Sequence, residues 1–169
     1  MKKIITLICV AALALSFACD ASAQEVYAQR QKKTYRQTVV YASLGAMANL
    51  SASDFGVGAA VGVRNYNREA IVSFAPSIEA FVDFFPVDKK FGAFVVPEIG
   101  VAIGPKGFKF FPHTGLMLGY DNGTRKFAWG GKSGFAFDFG KHFTLDFSTY
   151  IPSYNFRELT WGANLVWRF

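Results

Sequence analysis

The sequence predicts an all-β chain, an eight-stranded antiparallel up-and-down transmembrane β-barrel, on three observations. Side-chain character alternates with period two almost to the last residue, turn-forming residues interrupt it at regular intervals, and one of the two strand faces carries no charge. Composition sets compatible bounds. A chain of 169 residues, 51% hydrophobic, 17% aromatic and 18% charged, with a formal charge of +6, is one domain and far too apolar for a solvated tail. No repeat of about 20 to 50 residues marks a solenoid. Beyond the first 18 residues there is no run of about 18 apolar residues to make a membrane-spanning helix.

Residues 1–23 read as a signal peptide. Lys2 and Lys3 supply a positive start, Ile4 to Ala18 an apolar stretch, and Ala21-Ser22-Ala23 the small residues a signal peptidase reads before Gln24. The competing lipoprotein reading, on Ser16-Phe17-Ala18-Cys19, is weakened because Leu15 stands one place too early. Cleavage after Ala23 leaves 146 residues and a charge of +5, and removes both Cys9 and Cys19. The mature chain then has no disulfide, cysteine nucleophile or cysteine metal site. Residues 24–34, with Arg30, Lys32 and Lys33 and no alternation, read as a polar periplasmic lead-in to a barrel over 35–169.

The eight strands are expected at 36–50, 55–64, 70–85, 91–104, 107–121, 124–139, 142–151 and 156–169. The first four breaks are Ser51 to Asp54, Asn65 to Glu69, Pro86 to Lys90 and Gly104 to Gly107. Asp121 to Thr124, Gly140-Lys141 and Pro152 to Asn155 follow. Asn122-Gly123 is the strongest of them, since a two-residue hairpin turn needs positive φ at both central positions.

Separating each strand into its two faces gives 52 positions on one face without a single Asp, Glu, Lys or Arg, where 18% would give about nine. The opposite 44 positions hold Glu79, Asp83, Glu98, Lys109, Lys132, Asp138, Asp146 and Arg168. The uncharged face carries 13 of the 19 Phe and all three Trp. An eight-stranded barrel encloses only enough room for side chains of ordinary bulk, so that face must point outward. Such a surface aggregates in water and suits a bilayer, where a closed barrel pairs every strand hydrogen bond. Phe55, Phe84, Phe91, Phe108, Tyr120, Phe127, Phe139, Phe143, Trp167 and Phe169 cluster near strand ends as interfacial girdles. Pro76, Pro97 and Pro112 fall within strands on that face, and each removes a ladder donor.

Residues 35–169 resemble the small eight-stranded outer-membrane barrels of the OmpA/OmpX type, including the Bacteroidota-like versions. The most specific match is the last strand, Thr160-x-Gly162-x-x-Leu165-x-Trp167 ending at Phe169, which looks like the carboxy-terminal signal read by the barrel-assembly machinery. The resemblance implies an outer-membrane location, contact with outer-membrane lipid and lipopolysaccharide, and a monomer. It also implies an amino terminus in the periplasm, and a peptidoglycan-binding domain of the kind some relatives carry after the barrel is not expected. The first, third, fifth and seventh connections would then face outside, and all four are expected to be five residues or shorter, which disfavours a loop-borne binding site.

Chemistry is therefore sought in the lumen. Turn positions suggest registers in which paired numbers sum to 105, 177, 211 and 245. These place Glu79, Glu98, His113 and Lys132 on one level of four neighbouring strands, with His113 opposite Glu98 and beside Lys132, and Tyr41 opposite Arg64 nearer the periplasmic end. Such a belt neutralises itself by cross-strand pairs and plugs the barrel, giving a structural, non-enzymatic role in the envelope. Three alternatives compete. A lipid A-modifying enzyme would use His113 as base and Glu98 as its orienting carboxylate, but the inward hydroxyls Ser73, Ser77 and Ser148 show no convincing spacing, while Thr114 and Ser133 face outward. A narrow pore would exploit inward glycines such as Gly58, Gly62 and Gly100, whose missing side chains leave room for water. A soluble carrier of the lipocalin kind would need a charged exterior. His142 reads as a solvated end residue, no metal site or cofactor is expected, and nothing points to nucleic acid.

Overall fold

A computed structural model describes residues 36–50, 52–122, 126–152 and 159–169. The expected signal peptide and lead-in, Gly123 to Arg125 and the expected start of the last strand at 156–158 lie outside the described residues. The elements are all strands: β1 (Arg36–Asn49), β2 (Asp54–Asn67), β3 (Val72–Phe74), β4 (Ser77–Phe85), β5 (Lys90–Ile103), β6 (Phe108–Asp121), β7 (Lys126–Phe139), β8 (Phe143–Pro152) and β9 (Thr160–Arg168). Each pairs antiparallel with its neighbours, and β1 closes on β9 from Tyr41↔Arg168 to Asn49↔Thr160. β3 and β4 share one register on β5 and form a single stave, so the structure is a closed eight-stranded barrel.

The interruption between β3 and β4 is at Ala75-Pro76, one of the three prolines expected to disturb pairing. The other two act on a single seam. The β5–β6 ladder has no pairs opposite Val96 and Pro97, nor opposite Phe111 and Pro112, whereas β6–β7 pairs without a gap from Phe108 to Asp121. A missing N–H on each proline accounts for both gaps.

The faces are as the alternation requires. In β9 every residue from Thr160 to Arg168 alternates buried and exposed, with Trp161, Leu165 and Trp167 outward. Outward aromatics also contact one another across strands, as in Phe110 against Phe137 at 5.4 Å and Phe135 against Phe147 at 5.6 Å. Such pairs contribute about 0.5–1.5 kcal/mol beyond area burial.

Turn placement corrects the expected boundaries and registers. Asp54 and Asn65 to Asn67, expected in breaks, belong to β2. Asn49 pairs with Asp54, Phe85 with Lys90 and Asp121 with Lys126, so Asn122-Gly123 is not a two-residue turn. Lys89 and Ser53 take φ of 51° and 52° in two of these turns, and Gly140 takes 57° between β7 and β8. The observed sums are 103, 175, 213 and 247, each two away from expectation. A shift of two preserves which face a residue occupies, so inside stays inside while the partners change. The described part of β9 starts at Thr160, later than the expected 156, so the expected short seventh connection, Pro152 to Asn155, is not established by the described residues.

Candidate functional site

The lumen is filled in layers. Nearest the end where β1 meets β2 and β4 meets β5, Met47, Phe81, Phe85, Phe94, Val96, Met117 and Tyr150 form an apolar cluster. Phe81 stacks on Tyr150 with centroids 4.8 Å apart. Tyr66, Ala75, Ala102, Phe111 and Ala136 form a second cluster toward the opposite end. These residues are compatible with the inward face only because glycines oppose them. A Cβ on Gly62 would stand 2.6 Å from the Tyr41 hydroxyl, and one on Gly58 3.0 Å from the Phe81 ring. At these two positions the space left by the glycines is taken by rings, where the alternative of a narrow pore would put water.

Between the two clusters lies the charged belt. Lys132 Nζ is 2.5 Å from Glu79 Oε1 and 2.7 Å from Glu98 Oε1, with all three residues at most 5% exposed. The contact with Glu79 is a hydrogen bond, whereas the approach to Glu98 is off the hydrogen-bonding direction and acts as an ion pair. Register explains the reach: Glu98 and Lys132 both stand opposite Gly115, which has no side chain to separate them. Glu79 also accepts from the Tyr41 hydroxyl at 3.0 Å, and Glu98 from Ser77 at 3.0 Å.

His113 departs from its expected place. It pairs with Gly100 and Gly134 instead of standing opposite Glu98 and Lys132. Its ring still lies between two carboxylates, Nδ1 at 3.8 Å from Glu98 and Nε2 at 3.3 Å from Asp146. Asp146 Oδ1 in turn accepts from the Ser148 hydroxyl at 2.6 Å. Tyr41 stands opposite Gly62, not Arg64, which pairs with Val39. The Arg64 guanidinium nonetheless lies 5.3 Å from the Tyr41 ring centroid and 3.8 Å from that of Phe111, consistent with cation–π contacts.

A second network closes the other end. Asp138 accepts from Arg168 at 2.8 Å, from Tyr66 at 2.9 Å and from Thr144 at 2.6 Å, with Arg64 3.9 Å away. Arg168 also donates to the carbonyls of Phe139, Gly140 and Phe143, tying β9 to the β7–β8 turn. Lys109 donates to the carbonyls of Ala70 and Gly104 and forms no ion pair among the described residues. Asp83 lies apart from the belt, lining a cavity at the first end. His142 meets the Arg168 carbonyl at 3.0 Å and stacks on Trp167.

The structure thus unites Glu79, Glu98, His113, Lys132 and Asp146, and separately Asp138, Arg168 and Arg64. The sequence reading missed Tyr66, Thr144 and Asn164. Tyr66 was obscured by the asparagines around it, although the alternation of β2 continues through it. Asn164, which donates to the Tyr150 hydroxyl at 3.2 Å, sits in the inward register of β9 between Gly162 and Val166. No group of three or more His, Cys, Asp or Glu among the described residues is spaced to hold a metal ion.

The fold and the outward apolar face define a transmembrane β-barrel. The solved structure of the outer-membrane enzyme PagL is similar, with TM-score 0.60 and 12% identity over 79% of this chain and 99% of that one. A de novo designed transmembrane β-barrel matches with TM-score 0.48 and 10% identity over 82% of this chain and 98% of that one. No family model matches the chain, and no curated protein matches it by sequence. The likeness to PagL is one of fold and does not single out the OmpA/OmpX type.

Proposed function

We infer that the chain is an outer-membrane barrel with a structural role in the envelope, exported by residues 1–23 and closed to solutes by its own side chains. The observation that carries this reading is the triply buried Glu79–Lys132–Glu98 bridge, which spans the lumen between two apolar clusters. An isolated buried charge costs several kcal/mol, so a lumen lined by charge is stable only when its members pair, and pairing across the lumen is what closes it. Thr160, Gly162, Leu165, Trp167 and Phe169 would be read by the barrel-assembly machinery, and the outward face meets outer-membrane lipid and lipopolysaccharide. In this reading the amino terminus is periplasmic and the protein works as a monomer without a cofactor.

An enzyme acting on lipid A is the competing reading, and Ser148, Asp146 and His113 are the observation in its favour. Their order speaks against it. Ser148 donates to the carboxylate instead of the imidazole, so the base that would take its proton is not the group it touches. Ser148 and His113 are also buried inside the barrel, away from the lipid.

Two measurements test the structural reading. The purified barrel in a planar bilayer should show no steady conductance, and mass spectrometry of whole-cell lipid should show the same acylation with and without the protein. Stable single-channel steps would replace the structural reading with the pore. An acylation change lost in His113→Gln would replace it with the enzyme.

A further inference from the structure

The end of the barrel at the β1–β2 and β4–β5 turns holds a cavity of about 180 Å³. Its walls carry Asp54, Asp83, Asp88 and Asp121 against a single described ammonium, Lys90, which is 2.9 Å from Asp88. Its floor is Met47, Phe85, Phe94 and Tyr150, the upper surface of the apolar cluster that seals the lumen. Asp83 accepts from the Gly92 amide. Asp54 differs: it is 3% exposed, it lines the cavity, and neither carboxylate oxygen has a hydrogen-bond partner among the described residues.

A buried carboxylate without a protein partner is costly, and beside an open cavity its charge is available to a cation that enters. Two features specify its chemistry. The described carboxylates are not grouped to give a metal three ligands, so a bare divalent ion is poorly served. Aromatic walls below the acids favour a cation with an apolar body, held by charge at the rim and by ring faces at the floor. An apolar cavity of about 150 Å³ accommodates benzene, so this one has room for a body of about that size.

We propose that this mouth is a binding site for a small organic cation, an amine on a compact apolar body, with Asp54 as its principal counter-charge and Asp83 beside it. The two acids that carry the site, Asp54 and Asp83, lie apart from the belt, whose Lys132 meets the site only through the Tyr150 ring in its floor.

The test uses the full mature barrel in detergent micelles, with backbone amide NMR shifts as readout, benzylammonium as probe and benzyl alcohol as its uncharged counterpart. Benzylammonium should shift the amides around Asp54 and Gly92 saturably, benzyl alcohol should not at the same concentration, and Asp54→Asn should weaken binding at least tenfold. Asp83→Asn gives a second reading of the same pocket, with a smaller loss expected, and stands in if Asp54→Asn does not fold. Folding of each variant is checked by gel mobility before and after boiling. Equal binding of benzyl alcohol, or undiminished binding in the folded variants, would overturn the proposal. So would displacement of benzylammonium by equimolar magnesium, which would make the site one for metal ions.

Discussion

Replacing Lys132 with Met is the most direct perturbation of the belt. Methionine fills much of the volume of the lysine stem, so the change removes charge with little cavity. Glu79 and Glu98 then lose the cation at 2.5 and 2.7 Å and keep, among the described residues, the Tyr41 and Ser77 hydroxyls, the more distant His113 and the field of Arg64. Removing one partner of a buried ion pair costs about 3–5 kcal/mol. An independent bound follows from proton uptake. Keeping an ordinary carboxyl of pKa about 4.3 protonated at pH 7 costs about 3.7 kcal/mol, since each unit is about 1.36 kcal/mol, so relief by one proton limits the loss to that order. With a urea slope of about 1–3 kcal/mol/M, the unfolding midpoint should fall by at least about 1 M. Tryptophan fluorescence of the barrel in lipid vesicles measures it. Adding Glu79→Gln to Lys132→Met should recover much of the loss, because the amide leaves one carboxylate fewer without a counter-charge. His113→Gln should cost less than Lys132→Met, since the amide still donates to a carboxylate. A midpoint unchanged in Lys132→Met, or a double variant no more stable than the single, would refute the neutralising belt.

Three further outcomes are expected. The protein should fractionate with outer membranes and change gel mobility on boiling, and recovery from the periplasm without detergent would sink the bilayer reading. Deleting Phe169 or replacing Trp167 with Asp should sharply reduce folded barrel in membranes, measured by the unboiled gel band; Trp167 packs edge-on against Phe143 at 4.7 Å, so the aspartate also removes an outward aromatic contact. Gly62→Val should destabilise by about 1–3 kcal/mol through overpacking, because its Cβ would lie 2.5 Å from the Tyr41 ring, whereas Gly62→Val combined with Tyr41→Ala should regain part of that loss in the same urea titration.

The difference between what the sequence disclosed and what it withheld follows from the geometry of a strand. Facing is a local property with period two, so every charged lumen residue from Glu79 to Arg168 could be assigned to the interior without knowing its partners. Partnering depends on how many residues each turn consumes, and short polar segments such as Asn122-Gly123-Thr124-Arg125 are consistent with more than one count. The resulting errors were all of two residues, since an error of one would have turned an apolar face into the lumen. The belt survived because lysine is long. Lys132 crosses above Gly115 to reach Glu98, whereas the shorter His113 moved with its backbone and exchanged the expected Lys132 neighbour for Asp146. The mouth cavity was beyond this kind of inference. Asp54 follows Ser51-Ala52-Ser53 and has every local mark of a turn residue; only closure of the barrel reveals that it is the first inward position of β2, and only the surrounding side chains reveal that its carboxylate has no hydrogen-bond partner among the described residues.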